Sequence, residues 1–116
     1  MTNEEIQKRM VQHGEVLLVP VDALPGDLEQ IHNGKEFIVG HSETGHHHVA
    51  VGDVTAFKPI GADSQEIYLR VNKESVIEHR KSFDRHETKT LHEGVYLVKP
   101  KTEYDPFLKI IEQVRD

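Results

Sequence analysis

Short segments of strand-forming residues, separated by turn residues, constrain the fold of this chain more than any other feature. The run from Glu15 to Val21 is almost continuously apolar, and in residues 67–71 Ile, Leu and Val alternate with Tyr and Arg. Val95 to Val98, entered through Gly94, is a further segment of this kind. Continuous apolar runs indicate strands covered on both faces, and alternation indicates half-buried strands. Their close spacing predicts a mainly β fold, a small β-barrel or sandwich.

The turn residues predict where these strands begin and end. Asn33-Gly34, between β-like residues 28–32 and 35–41, has the strongest composition for a hairpin. Residues 54–60 read as a strand separate from the segment before them, and residues 75–79 as a strand that follows a bend at Asn72-Lys73. Residues 80–90 are so highly charged that they predict a loop. Pro20 suggests that one end of its strand lies at a sheet edge or bulge.

Two short helices are expected at the ends of a single domain, 1–116, whose sheet core covers 15–99. Thr2 followed by Glu5 fits a capping box and predicts a helix over 3–11, which Gly14 ends. Asp105-Pro106 predicts the start of a C-terminal helix over 106–115. The apolar residues of that helix share one face, which would pack on the sheet or, alternatively, on another subunit.

Composition limits the classes of function. The formal net charge of -6 argues against capture of nucleic acid or of an anionic membrane. The basic residues of the second half alternate with acidic ones, which indicates a solvated surface. The absence of cysteine excludes a thiolate site and fits a reducing compartment. With no stretch of 18 apolar residues and no signal-peptide pattern, we expect a soluble, cytoplasmic protein.

The richest chemistry lies in residues 40–53, which contain four of the nine histidines. In a strand, His46 and His48 would point to one face, roughly 6–7 Å apart at their roots, while His47 points to the other. Two imidazoles at that spacing can bind one divalent metal ion. If Val49 and Val51 face the core, the His46/His48 pair faces solvent or a cavity. An exposed polar patch is the alternative interpretation.

A metal site needs at least a third ligand. His86 is the first candidate, followed by His79 and His92 on later segments. Candidates nearer in sequence are Asp53, Glu43 and His41. Three histidines with an open position would suit Zn, Fe, Ni, Cu or Mn, and the sequence does not select among these divalent transition metals.

The remaining polar and aromatic candidates have simpler interpretations. His13 and His32 are expected at the surface or in turns. Tyr96 and Tyr104 are expected to pack in the core or at its rim rather than act as catalytic acids.

Around the histidines the sequence resembles the first motif of the cupins, small β-barrels that often hold a metal. Gly40, His46 and His48 fall in place; Asp53 stands where the cupin motif has glutamate, and Gly61 is one residue late. The second cupin motif is poorly matched around Gly94, so the resemblance would require His86 to supply the later ligand. It implies a cupin-like or jelly-roll-like barrel with a metal and possible cupin-like catalysis.

A second resemblance covers most of the chain. The order of Thr44-Gly45-His46-x-His48, Tyr68-Leu69-Arg70-Val71, His86, Gly94-Val95-Tyr96 and Glu103-Tyr104 is similar to a widespread set of small bacterial and phage-associated proteins without an established activity. The resemblance implies that His46, His48 and His86 occur together, and it supplies no substrate.

Three functions compete on this basis. The first is a metal-binding β-barrel, catalytic or not, with His46, His48 and His86 as ligands and Asp53 or Glu43 as a fourth ligand or a partner of the ligands. The second is a non-catalytic structural or assembly subunit, phage-type or adaptor-like, with the histidines on the surface or between subunits. A nucleic-acid-binding module is the weakest. We expect a homo-oligomer.

Overall fold

The computed structural model describes residues 1–13, 16–41, 47–61, 66–80 and 85–100, with the backbone alone for residues 41, 79–80, 85–87 and 100. The C-terminal helix predicted over 106–115 lies outside these ranges, as does Tyr104. Within them, the chain forms one helix and eight strands: α1 (Asn3–Arg9), β1 (Val11–His13), β2 (Val16–Val21), β3 (Leu28–His41), β4 (His47–Pro59), β5 (Ile67–Val71), β6 (Ser75–Arg80), β7 (Arg85–Leu91) and β8 (Gly94–Pro100).

All the strand pairs are antiparallel, and they join into one strongly curved sheet. Its order is β1-β2-β8-β5-β4-β6-β7, with β3 also paired to β4. The two ends of this order, β1 and β7, lie side by side, and Lys89 Nζ of β7 donates to the carbonyl oxygen of Gln12 in β1. The sheet is therefore a nearly closed barrel, which confirms the predicted mainly β, barrel-like fold.

The core fills the inside of this barrel. Strand β4 contributes Ala50, Val54 and Ala56, which are fully buried and an even number of residues apart. The larger members come from the surrounding strands: Leu18, Leu69, Val71, Ile77, Leu91, Tyr96 and Val98. Burying one such large side chain is worth about 1.5–3 kcal/mol of transfer free energy, so the aliphatic interior stabilises the barrel without tryptophan or a disulfide.

The hairpin predicted at Asn33-Gly34 is wrong, because both residues lie inside the 14-residue strand β3. β3 pairs along its length with β4, and its register shifts at three places absorb extra residues. Gly34 has a φ of +150°, a conformation that favours glycine. The glycine therefore serves a local irregularity within the strand rather than a turn. The predicted strand at residues 54–60 is likewise the second half of β4. Long-range pairing has overridden the local turn propensity here.

The loop predicted over residues 80–90 is also wrong, because β6 extends to Arg80 and β7 begins at Arg85. β7 pairs with β6 and ends in the fully buried Leu91. Thr88 and Thr90 are exposed, and β-branched threonine is favourable on the solvent face of a strand. High charge density thus marked a solvent-facing strand rather than a loop.

The predictions at the other strands and at the start of the N-terminal helix agree with the structure. β5, β6 and β8 begin within a residue of the predicted segments, and Pro20 lies beyond Leu18, the last β2 residue that pairs with β1. The Thr2 side chain accepts a hydrogen bond from the Glu5 amide at 3.2 Å. The helix ends at Arg9 rather than at residue 11, and Gly14 does not end it, because β1 has already begun at Val11. In the described part of the chain, no helix has the length and hydropathy to cross a membrane.

Candidate functional site

His48 lies inside the barrel. It is 1% exposed and occupies the same alternating set of β4 positions as Ala50 and Val54, the set that forms the core. Val49, on the opposite face, is only 3% exposed, so this part of β4 is covered on both sides. The interpretation of His48 as part of an exposed polar patch is therefore wrong, and the face predicted to border solvent or a cavity is the core face.

His13 faces His48 from the N-terminal strand. The two Nδ1 atoms are 2.6 Å apart, and the rings meet edge to face with centroids 4.8 Å apart. His13 is 1% exposed, so its predicted surface position is wrong. The sequence held a signal for it: Val11 and His13 alternate, and Gly14-Glu15 is a Gly-X dipeptide of the kind found in two-residue hairpin loops.

The short distance between the Nδ1 atoms restricts their protonation. A neutral imidazole has one N–H donor and one acceptor nitrogen. One Nδ1 must carry hydrogen and the other a lone pair, so the two neutral rings are opposite tautomers. A single proton between the two Nδ1 atoms would satisfy this contact, and a metal ion is the other kind of electrophile that two imidazole nitrogens commonly share.

Strand pairing brings three histidine positions into line across the sheet. His48 of β4 pairs with His79 of β6, and His79 pairs with His86 of β7. On the other side of β4, Gly40 of β3 pairs with His48. Directly paired residues of antiparallel strands belong to the same face of a sheet. We call these four residues the histidine row. The predicted ligands His48 and His86 are thus two strands apart in one row, and His46 lies outside the described residues.

Gly40 makes room for the histidine pair. A Cβ on this residue would overlap Val16 Cγ2 and come within 3.4 Å of His48 Cδ2. Overpacking of this kind displaces neighbours that are already closely packed. The glycine that fits the cupin-like pattern therefore has a definite steric role, which is to let β3 approach β2 and the His48 ring.

The other predicted ligands are placed elsewhere. Asp53 is exposed, and its carboxylate accepts a hydrogen bond from Asn72 Nδ2 at 3.1 Å. His92 is exposed just beyond β7. His41 pairs with His47, one position away from the pairing of Gly40 with His48, and Glu43 lies outside the described residues. Among side chains that the structure describes, no group of three potential metal ligands occurs.

Tyr96 packs in the core, as predicted, and its hydroxyl is also satisfied. It is 1% exposed and donates to the carbonyl oxygen of His92 at 2.8 Å. Burial raises the pKa of the Tyr96 phenol above its usual 10, and the nearby Arg9 guanidinium opposes part of that shift. The phenol is therefore a neutral hydrogen-bond donor at physiological pH.

Residues 12–101 match the model of a protein family described as a domain of unknown function, DUF8820. The chain belongs to the DUF8820 family. The match includes His13 and the whole histidine row, and it confirms the resemblance to an uncharacterised family. No curated protein and no solved structure matches the chain. The cupin-like and phage-associated resemblances stay predictions.

Proposed function

We propose that this DUF8820 protein binds a divalent transition metal inside its barrel, at the histidine row. The observation that carries the proposal is the contact between His13 and His48, two buried imidazoles whose nitrogens meet in the interior. An aliphatic residue at either position would fill the core without burying polar atoms, and burying polar groups is unfavourable unless they find partners. Neutral imidazole is also the commonest metal ligand in proteins.

The distance between the two nitrogens is close to what a shared metal needs. Zinc–nitrogen bonds of ~2.0–2.1 Å at a tetrahedral ion place two ligand nitrogens roughly 3.3–3.4 Å apart. The Nδ1 atoms of His13 and His48 are 2.6 Å apart. Small rotations of the two rings that move the Nδ1 atoms about 0.7–0.8 Å further apart would make room for an ion in place of a proton.

His86 is the proposed third ligand, and the register supports it. It lies two strands from His48 in the histidine row, so the two backbones are roughly 9–10 Å apart across the sheet. His79 stands between them and is the next candidate. His46, the remaining ligand proposed from the sequence, precedes the described start of β4 by one residue.

Three imidazoles would leave one coordination position for water or a small acid. Catalytic zinc sites have this composition, in which the ion lowers the pKa of bound water or polarises a carbonyl group. A cupin-like reaction is the catalytic form of the proposal. Metal binding alone is the simpler form, and the first experiment addresses it.

Elemental mass spectrometry of tag-free protein tests the proposal directly. We expect near-stoichiometric metal in the wild type, little in His48→Gln, and wild-type content in His92→Gln, whose side chain is exposed and outside the row. Glutamine keeps the polarity and approximate size of histidine but is a poor metal ligand. Circular dichroism of each variant reports whether it has folded. Folded wild-type protein that takes up no metal when offered Zn, Fe, Ni, Cu or Mn would overturn the proposal.

Assembly into a homo-oligomer is the second candidate function, and strand β3 supports it. Among the described strands only β4 pairs with β3, and Ile31 and Ile38 of β3 are 43% and 39% exposed. An exposed strand edge with apolar residues can pair with the same edge of a second copy. Light scattering of wild type and of Ile38→Lys tests this role. A monomeric wild type would exclude it, and a dimer that Ile38→Lys dissociates would support it.

A further inference from the structure

The N-terminal strand β1 joins the barrel through a short set of contacts. It is three residues long and pairs with residues 16–18 of β2. On its other side lies β7, and there Lys89 Nζ donates to the Gln12 carbonyl oxygen. We call this boundary between β1 and β7 the seam. A very short strand at the end of the sheet order is typical of segments that open locally.

His13 is the side chain through which this short strand reaches the interior. Its Nδ1 meets Nδ1 of His48, which belongs to β4, four strands away from β1 through β2 in the sheet order. The contact therefore links the first strand of the chain to the far wall of the barrel. A valine or leucine at position 13 would make only nonspecific contacts there.

The histidine row reaches the seam from the opposite side. It runs from His48 through His79 to His86 of β7, the strand that borders the seam. A metal held by His48 and His86 would lie on one side of the seam, with His13 across from it. Because His13 shares the proposed metal with His48, the ion would connect the two sides.

We infer that the metal, held by His13 as well as by the histidine row, closes the seam by fastening β1 to that row. This inference rests on the proposed function. It gives the ion a structural consequence, since binding then orders the N-terminal strand. A ligand on a weakly held strand also provides a route of entry: β1 opens, the metal reaches His48, and His13 closes behind it.

Hydrogen–deuterium exchange of the full chain, with and without Zn²⁺, tests the inference. We expect zinc to slow exchange in peptides covering residues 10–13 by about tenfold or more in the wild type, because a closed seam must open before these amides exchange. The matched control, His92→Gln, should respond like the wild type. Wild-type protein that binds zinc without any change in the exchange of β1 would overturn the inference while leaving the proposed function intact.

Zinc affinity of His13→Gln gives a second measurement. We expect affinity to fall about 100-fold and the zinc-dependent protection of β1 to disappear. Unchanged affinity in this variant would overturn the inference and would also show that His13 and His48 do not share the proposed metal. If His13→Gln does not fold, Lys89→Met is tested instead. This variant loses the hydrogen bond to the Gln12 carbonyl oxygen but keeps every proposed histidine ligand. The amides of β1 should therefore exchange faster in metal-free protein, and zinc should restore their protection. Failure of zinc to restore that protection would count against the inference. Absence of zinc binding in the wild type would instead refute the proposed function itself.

Discussion

Strand β4 crosses the barrel at two levels whose chemistry differs. Near its C-terminal end, Ala56 pairs with Leu69 of β5, which pairs with Tyr96 of β8. We call these three residues the apolar row. Near its N-terminal end, β4 crosses the histidine row at His48. Ala56, Leu69, Tyr96 and His48 are each at most 1% exposed, so His48 is buried as deeply as the apolar row and differs from it in side-chain chemistry.

The difference in side-chain chemistry between the two rows distinguishes residues that the fold needs for stability from residues that it does not. The apolar row gains its stability from removing hydrocarbon from water, and its polar atom, the Tyr96 hydroxyl, is hydrogen-bonded to the backbone. His48 places ring nitrogens in the same interior, where burial is unfavourable unless they find partners. Hydrocarbon side chains alone can fill a core of this size, and this contrast is the reason for our proposal that the histidine row serves function and the apolar row stability.

Truncation in the apolar row should have the largest effect on stability. Leu69→Ala removes a fully buried side chain between Ala56 and Tyr96 and should lower the free energy of unfolding by about 2–5 kcal/mol. Metal content per folded molecule should not change. Urea denaturation and elemental analysis of the folded fraction measure the two quantities. Loss of metal at wild-type stability would show that the two rows are not separate in function.

Gly40→Ala should affect both stability and metal binding. The added methyl group would press on Val16 and His48, and we expect a destabilisation of about 1–3 kcal/mol together with weaker metal binding. Gly26→Ala is the matched control, because a Cβ there meets nothing within 4 Å. Thermal unfolding and zinc titration of the two variants provide the comparison. Equal behaviour of the two would contradict the steric role of Gly40.

The histidine contact should appear as non-additivity between two substitutions. His13→Leu or His48→Leu alone leaves the other imidazole without this partner, at a cost of about 1–3 kcal/mol in metal-free protein. The double variant should cost less than the sum of the two, since it leaves neither ring to be satisfied. Chemical denaturation of the four proteins in chelator measures the coupling. Strict additivity would show that the rings do not depend on each other.

Tyr96 should give the smallest effect, visible only at alkaline pH. Because the pKa of its phenol is raised in the folded state, the unfolded chain loses the proton first as pH rises, and stability falls above about pH 10. The Tyr96→Phe variant has no phenol at this position, so its stability does not fall for this reason. Its deficit of about 1 kcal/mol at pH 8, from the missing hydrogen bond to His92, should shrink toward pH 11. Tyr68→Phe controls for general alkaline unfolding, and a constant deficit would contradict the shift.

Part of the candidate site was predictable from local pattern. Period-two spacing identified His48 as a candidate ligand, and the turn composition of the flanking residues placed it on a strand. The register of β6 and β7 could not be predicted, because the charged segment of residues 80–90 gave no apolar alternation. His13 was missed because the alternation of Val11 and His13 covers only three residues, a weak signal, and because its partner lies 35 residues away.

The sequence by itself determined that the chain would be mainly β, where most strands lie, and that it has no thiolate to offer as a metal ligand. Apolar alternation and turn residues act over a few positions, so they are legible in the chain. Tertiary structure alone decided which face of β4 is inside, since a slip of one residue in pairing would exchange the two faces. It also decided that Asn33-Gly34 is not a turn and that His13 meets His48, because both depend on pairings between residues far apart in sequence.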